Sequence, residues 1–259
     1  MTNMTNQDYL KVTLSAAKQA APIFIKYFGK AGKTKAKNGN PRDLVTKADL
    51  QIERIIRKNI LKAFPKSKII GEEYQHSKVG PNDLVWLIDP IDGTTNFIQG
   101  LSNCGISIAL WQGQQPLLGI VYNPVTGQLF SAQKNKGAKL NGKKIRVTNT
   151  AKIDSAYGGF GWGRDIAWGV KNFPLVLPKL RKIRTLGSTA MELCKIAEGI
   201  YDFHIQGRIK IWDFAAAAII LTEAGGKITD FNGRAVSLAT TQLVGSNGKI
   251  HSQLLKIVR

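Results

Sequence analysis

In Leu84-Val-Trp-Leu-Ile-Asp-Pro-Ile-Asp-Gly-Thr-Thr-Asn-Phe97 an apolar run, Leu84 to Ile88, stops abruptly at two acids, Asp89 and Asp92. A short apolar run bounded by turn residues reads as a buried strand. Carboxylates at its end then stand at the carboxyl end of a strand, where open α/β sheets place their ligands. Pro90 fixes one backbone angle and removes one amide donor, which stiffens the turn between the acids. Gly93 supplies conformational freedom, and Thr94 and Thr95 supply hydroxyls where a helix can begin. Hard oxygen ligands beside free amides suit a magnesium ion holding a phosphate. A polar turn after a buried strand is the plainer alternative.

Two neighbouring segments add acids. Ser67-Lys-Ile-Ile-Gly-Glu-Glu73 reads as a second short strand ending in Glu72 and Glu73. Upstream, Asp43-Leu-Val-Thr-Lys-Ala-Asp49 leads into a helical stripe of Ile52, Ile55, Ile56, Ile60 and Phe64, stopped by Pro65. Thr46-x-x-Asp49 has the spacing of a capping box, a sufficient structural reason for both residues. Asp83 falls in the Gly80-Pro-Asn turn and reads as a turn acid. The chain has 37 Lys plus Arg against 17 Asp plus Glu, yet Glu72, Glu73, Asp89 and Asp92 crowd into one short region. Brought together without a cation, such acids would repel one another.

The remainder reads as alternating helices and strands. Gln7 to Phe28 has helical spacing, with Pro22 a candidate kink, and Lys26 to Lys37 is a basic surface loop. Residues 103–147 form an antiparallel meander, with Asn141-Gly142 a tight hairpin turn. Asp154 to Trp168 is rich in glycine and aromatic residues and lacks periodicity; it reads either as cleft lining or as a long loop. Lys179 to Arg184 is basic, and Thr189-x-x-Glu192 reads as a second capping box opening a helix that runs to Gly199. Such an approach to a helix N-terminus can also bind phosphate. Tyr201 to Ile205 alternates like a strand, with His204 either packed or functional. Phe214 to Gly226 is apolar on nearly every face, hence a buried helix, with Asp213 in the position of an N-cap. Two more strands and a closing helix, Gly248 to Val258, follow.

This pattern predicts an α/β architecture in packed layers with mixed sheets. Residues 1–148 are expected to form an α+β portion holding the main acidic motif. Residues 149–259 are expected to form a second α/β portion, the two making one compact catalytic unit. Length and an ordinary hydrophobic content of 43% are sufficient for a sizeable core. No apolar run is long enough for a membrane helix, and the first residues lack the basic and apolar regions of a signal peptide. Two distant cysteines, Cys104 and Cys194, indicate no disulfide framework. A cytoplasmic location without membrane attachment is the expectation. The net charge of +20 favours anionic partners.

Asp89-Pro-Ile-Asp-Gly-Thr94, Gly71-Glu-Glu73, Trp212-Asp213, Glu223-Ala-Gly-Gly226 and the Asp43 to Asp49 segment together resemble the inositol monophosphatase family. The resemblance runs from about residue 10 to the C-terminus. It implies a layered α-β-α-β-α sandwich, a homodimer, and Mg²⁺-dependent hydrolysis of a small phosphate monoester by in-line attack of metal-activated water. By motif position it assigns Glu72, Asp89, Asp92, Asp213 and the backbone carbonyl of Ile91 to the metal. Asp49, Glu72 and Thr94 match the residues that activate the attacking water. Gly93, Thr94, Gly187, Ser188, Thr189, Gln206 and Asp213 match segments that line the substrate. The chemistry is consistent, because cations neutralise the two charges of a phosphate monoester that repel an incoming hydroxide.

The sequence departs from the family at one informative position. Inositol-selective members carry a glutamate seven residues before the aspartate of Trp-Asp, and here that residue is Gln206. An amide hydrogen-bonds without charge, while Arg208 and Lys210 make this segment basic. Inositol monophosphate of the myo-inositol-1-phosphate type is the expected substrate; histidinol phosphate, a sugar bisphosphate and a nucleotide 3′-phosphate are the alternatives. Lys37 matches the family's basic residue upstream of Asp43 only with a one-residue spacing difference. A different class of function, RNA binding or association with the transcription machinery, is raised by the basic runs Lys26–Lys37, Lys134–Arg146 and Lys179–Arg184. These runs contain few of the aromatic residues that nucleic-acid grooves use.

Overall fold

The apolar stripes of the sequence sort into two sheets and three helical layers. The structure, a computed structural model, describes residues 6–30, 35–37, 40–163 and 166–258. Helix α1 (Asn6–Tyr27) contains Pro22 and precedes a small hairpin, β1 (Lys35–Lys37) and β2 (Asn40–Val45). The side chains of Lys37 and Asp43 lie outside the described residues. Helix α2 (Lys47–Ala63) follows, opened by the expected capping box: Thr46 Oγ1 accepts from the amides of Ala48 and Asp49, and Asp49 Oδ2 accepts from the amide of Thr46.

Next come β3 (Lys68–Gly71), β4 (Leu84–Asp92), the short helix α3 (Thr94–Gln99), β5 (Gly105–Gln112), β6 (Gln115–Asn123), β7 (Gln128–Gln133), β8 (Ala138–Leu140) and β9 (Lys143–Lys144). These seven strands form one sheet in sequence order, parallel at β3–β4 and antiparallel elsewhere. The meander therefore closes as expected. Its last turn has Asn141 at φ 48° and Gly142 at φ 82°, the two positive angles that a tight two-residue hairpin requires.

The second half contains β10 (Tyr157–Gly161), α4 (Ile166–Val176), β11 (Lys182–Arg184), α5 (Thr189–Ala197), β12 (Phe203–Gly207), α6 (Ile211–Glu223), β13 (Lys227–Thr229), β14 (Gln242–Ser246) and α7 (His251–Val258). Its mixed sheet has the order β11-β10-β12-β14-β13. The glycine-rich stretch after Asp154 thus holds an interior strand, and α4 and β11 are elements the sequence reading did not include.

Alternation along the strands assigns each face. Trp86, Ile88, Ile106, Ile108, Leu110, Leu118 and Ile120 meet Ala16, Ala20 and Phe24 of α1 and Ile52, Ile56 and Ile60 of α2. Each fully buried isoleucine contributes roughly 1.5–3 kcal/mol. The intervening residues Val85, Leu87, Ala109, Trp111 and Val121 meet α5 and α6, which fill the space between the sheets. Helix α6 is apolar all round because it is covered on both sides. Beyond the second sheet, Phe160, Phe203, Ile205 and Val244 pack with Val176 of α4 and with Leu254, Leu255 and Val258 of α7. The order is α-β-α-β-α, as the resemblance implies.

Two cap assignments need correction. Helix α5 is capped by Ser188, whose Oγ accepts from the amide of Met191, and Thr189 is already helical. Glu192 therefore does not complete a box with Thr189; it reaches the preceding loop instead. In α6 the N-cap position belongs to Lys210, and Asp213 accepts from its amide at 2.9 Å. Lysine has no side-chain acceptor, so only the carboxylate half of this box is made.

Candidate active site

The carboxyl end of β4 opens into a cavity of about 250 Å³ between the two sheets. Glu72, Asp89, Ile91, Asp92, Gly93, Thr94, Gly187, Ser188, Thr189, Gln206 and Asp213 all line it. The cavity thus gathers, from both halves of the chain, every site residue expected from sequence except Asp49. Asp49 is fully buried behind the wall, with Oδ2 accepting from the amide and hydroxyl of Thr46 at 2.8 and 2.6 Å. A helix cap is its observed local role.

The acids converge because three segments end together. The amide of Glu72 donates to Ile88 O at 3.1 Å, which ties the end of β3 to β4. Asp89 Oδ1 accepts from the amide of Ile91 at 3.0 Å, so the Pro90 turn curls around its own acid. Asp213 reaches the cavity from the first turn of α6. Burial, followed by the neighbouring charges of Glu72, Asp92 and Asp213, pushes the Asp89 carboxyl well above its ordinary range. The crowding of like charge around Asp89 is what a bound cation would relieve.

Burial likewise raises Asp92 to about 7, although the Ser188 hydroxyl and the Ala190 amide act in the opposite direction. Among the described residues no group of three or more His, Cys, Asp or Glu side chains is drawn together into a metal cage. The donor set is nevertheless all oxygen with negative charge in excess, which suits a hard divalent cation.

Asp92 joins the two halves of the wall. Its Oδ2 accepts from Ser188 Oγ at 2.5 Å and from the amide of Ala190 at 2.7 Å, at the start of α5. Gly93 has φ 84°, and a Cβ there would stand 3.0 Å from Asn103 O and 3.1 Å from Ser188 Cβ. Glycine is required both for the angle and for this close approach. The next residue, Thr94, donates its hydroxyl to Ile91 O at 3.1 Å.

Asn96 and Glu53 were not singled out from sequence, and Glu192 was named only as a cap partner. Asn96 Nδ2 donates to Leu186 O and Asn103 O, pinning the 186–188 loop to α3. Glu192 Oε1 accepts from the amides of Leu186 and Gly187, both at 3.1 Å, and holds the same loop from the other side. Glu53, buried in α2 and paired with Arg57 at 2.8 Å, accepts from the amide of Glu73 and so fixes the segment that carries Glu72. Its i,i+4 spacing to Arg57 was the available signal, but surface pairs have the same spacing. On the opposite wall Gly161, Trp162, Gly163 and Arg208 complete the lining. Trp162 rests against Phe160 and Phe173.

Comparison with known proteins agrees with this geometry. The sequence model of the Inositol monophosphatase family matches residues 5–259. A fructose-1,6-bisphosphatase/inositol-1-monophosphatase of Thermotoga maritima is 34% identical over 251 residues, covering 97% of this chain and 96% of its own. A Nus factor SuhB of Pasteurella multocida is 30% identical, with 96% and 95% covered. A solved IMPase/NADP phosphatase complexed with Mg²⁺ and phosphate superposes with a TM-score of 0.86 at 25% identity, covering 98% of this chain and 96% of that one. Motifs, five-layer fold and whole-length similarity agree: the chain belongs to the inositol monophosphatase family of phosphatases.

Proposed function

We propose that the chain is a magnesium-dependent phosphatase for a small phosphate monoester, with inositol monophosphate as the leading substrate. The observation that carries this reading is the meeting of Glu72, Asp89, Asp92 and Asp213 from three segments in one cavity. These acids and the Ile91 carbonyl would hold magnesium. When bound, the ion neutralises phosphate charge, lowers the pKa of a water and stabilises the departing alkoxide.

The chain's own residues supply orientation and a proton path. Glu72 lies beside the acids and accepts a proton from the attacking water. Thr94, at the start of α3, orients that water from the cavity wall. For Asp49 to act through Thr94, the Thr94 hydroxyl must turn away from Ile91 O, its partner in the structure. Attack in line with the leaving oxygen needs no covalent phosphoenzyme. The 186–189 loop and Gln206 face the alcohol half of the ester.

The test is phosphate release with magnesium from inositol 1-phosphate, fructose 1,6-bisphosphate, histidinol phosphate and a nucleotide 3′-phosphate. Inositol 1-phosphate is expected to give the highest kcat/KM. Phosphate release that persists fully in EDTA would overturn the metal-dependent reading. Family membership also supports a homodimer, to be checked by light scattering.

A second reading, RNA or transcription-complex binding, is favoured by the +20 charge and the similarity to a Nus factor SuhB. Its signature is RNA affinity that falls steeply as salt rises. Absence of binding at low salt removes it.

A further inference from the structure

Gln206 lines the cavity from β12, and its neighbours dictate which way its amide faces. Gln206 Nε2 lies 3.1 Å from Gly207 O, and a carbonyl only accepts, so the amide nitrogen is on that side. Gln206 Oε1 then lies 3.2 Å from His204 Nε2. An amide oxygen cannot donate, so the imidazole Nε2 carries the proton of that contact. The other ring nitrogen, Nδ1, is 3.2 Å from Glu192 Oε2, and the ring is fully buried. Glu192 is anchored in turn by the amides of Leu186 and Gly187. Polar side chains therefore line up from the loop that Glu192 holds, through His204, to the Gln206 amide, with a hydrogen bond at the Gln206 end and a close approach without one at the Glu192 end.

The sheet beneath is shaped for this line. Strand β10 pairs with β12 so that Gly159 faces His204 and Gly161 faces Gln206. A Cβ at Gly159 would stand 2.1 Å from Glu192 Oε2 and 2.5 Å from His204 Nδ1, and one at Gly161 only 1.4 Å from Gln206 Oε1. Any side chain in place of either glycine would evict the side chains above it.

We propose that His204 is a positioning residue for leaving-group selection, holding the Gln206 amide in a single orientation against the alcohol half of the substrate. The inference rests on the phosphatase reading and deepens it. With one amide N–H given to Gly207 and one lone pair to His204, Gln206 keeps one donor and one acceptor for hydroxyls of the leaving group. Released from His204, the amide keeps only its bond to Gly207 O and can swing off the position that His204 fixes, and discrimination between leaving groups falls.

The test compares inositol 1-phosphate with phenyl phosphate, whose leaving group has no further hydroxyls to read. His204→Phe is expected to lower the ratio of kcat/KM values, inositol ester over phenyl ester, by about 3- to 10-fold, the equivalent of one hydrogen bond. The loss should fall on KM for the inositol ester. His204→Gln, which can still donate to Oε1, should restore most of the ratio. In a Gln206→Ala background, His204→Phe should change the ratio no further. An unaltered ratio in His204→Phe overturns the proposal. So does an equal fall for both esters, or a loss that persists undiminished in Gln206→Ala. If His204→Phe does not fold, His204→Asn, too short to reach Gln206, carries the same expectations. Failure of the wild-type protein to release phosphate from either ester would count against the phosphatase reading, an outcome distinct from an unaltered ratio in an active enzyme.

Discussion

The two walls of the cavity are both buried and polar, but their charges are arranged in opposite ways. On the β4 wall, Asp89 and Asp92 stand with Glu72 and Asp213, and burial with like charge raises the first two carboxyls. On the β12 wall, Glu192 Oε1 accepts from the amides of Leu186 and Gly187 and Gln206 Oε1 accepts from His204, while Glu192 Oε2 and His204 Nδ1 approach to 3.2 Å without a hydrogen bond. One wall carries an uncompensated cluster of like charges and is electrostatically incomplete in that sense; the other is largely compensated by hydrogen bonds within the protein. The difference separates two tasks. An uncompensated cluster stores binding energy for an ion and a phosphate, whereas a compensated one is suited to holding a shape that reads the rest of the substrate.

The largest expected effect tests the incomplete wall. Asp92→Asn should lower kcat/KM by more than about 100-fold, beyond the 10- to 100-fold typical of losing only a supporting partner of a metal ligand. The same substitution should raise the melting temperature in chelator at neutral pH, because it removes a buried charge among like charges. A lower melting temperature there would break the contrast between the walls. EDTA should abolish phosphate release in the wild-type protein and magnesium should restore it.

Asp49 sharpens the boundary of that wall. If it acts only as a cap, Asp49→Asn should cost about 1 kcal/mol of stability, as cap losses do, and leave activity nearly intact. The proposed proton path instead predicts a fall in kcat of at least about 10-fold, in line with general base catalysis. Kinetics and thermal unfolding measured on one preparation distinguish the two. On the β12 wall, Gly161→Ala should displace the end of the Gln206 side chain, at a stability cost of about 1 kcal/mol for the hydrogen bonds it loses, and shift substrate selectivity with it. Destabilisation without a selectivity change would mean that Gln206 reads nothing.

The smallest effect lies away from the cavity. His251 is buried between Thr229 Oγ1 at 2.9 Å and Ser246 Oγ at 2.8 Å. Burial, then the charge of Lys227, pushes its pKa down from 6.5 to about 4. The folded chain therefore resists a proton that the unfolded chain accepts. Its contribution to stability is full above about pH 6.5 and is lost as pH falls toward about 4. Thermal unfolding across that range should show a decline that is shallower in His251→Gln.

The same contrast explains what could be read in advance. Asp89, Asp92 and their glycine and threonines lie in one contiguous string at a strand end, so local spacing already placed them on one turn. Glu72 came from a neighbouring string and was joined to them by the crowding of acids in one region, whereas only the family resemblance joined the distant Asp213. The strand at Tyr157-Gly-Gly-Phe-Gly161 is hidden from the sequence because strand propensity penalises glycine, although the cleft-lining alternative for this stretch holds at Gly161, Trp162 and Gly163. Gly159 and Gly161 are explained by Glu192, His204 and Gln206, and Gly158 by Phe203, all more than thirty residues away in sequence. Glu192 was taken for a cap partner, since a helix-opening acid has the same local pattern whether it turns to its own helix or to a distant loop.

By itself the sequence determined the α/β layering, through apolar periodicity, and the phosphatase reading, through the family that its short acidic strings resemble. Tertiary structure alone decided that Ser188 rather than Thr189 caps α5 and that Glu53 braces the Glu72 segment. It also decided that a glycine strand makes room for the Glu192–His204–Gln206 line. Periodicity records which side of an element is buried; it does not record which partner, from which distant element, stands opposite once the layers close.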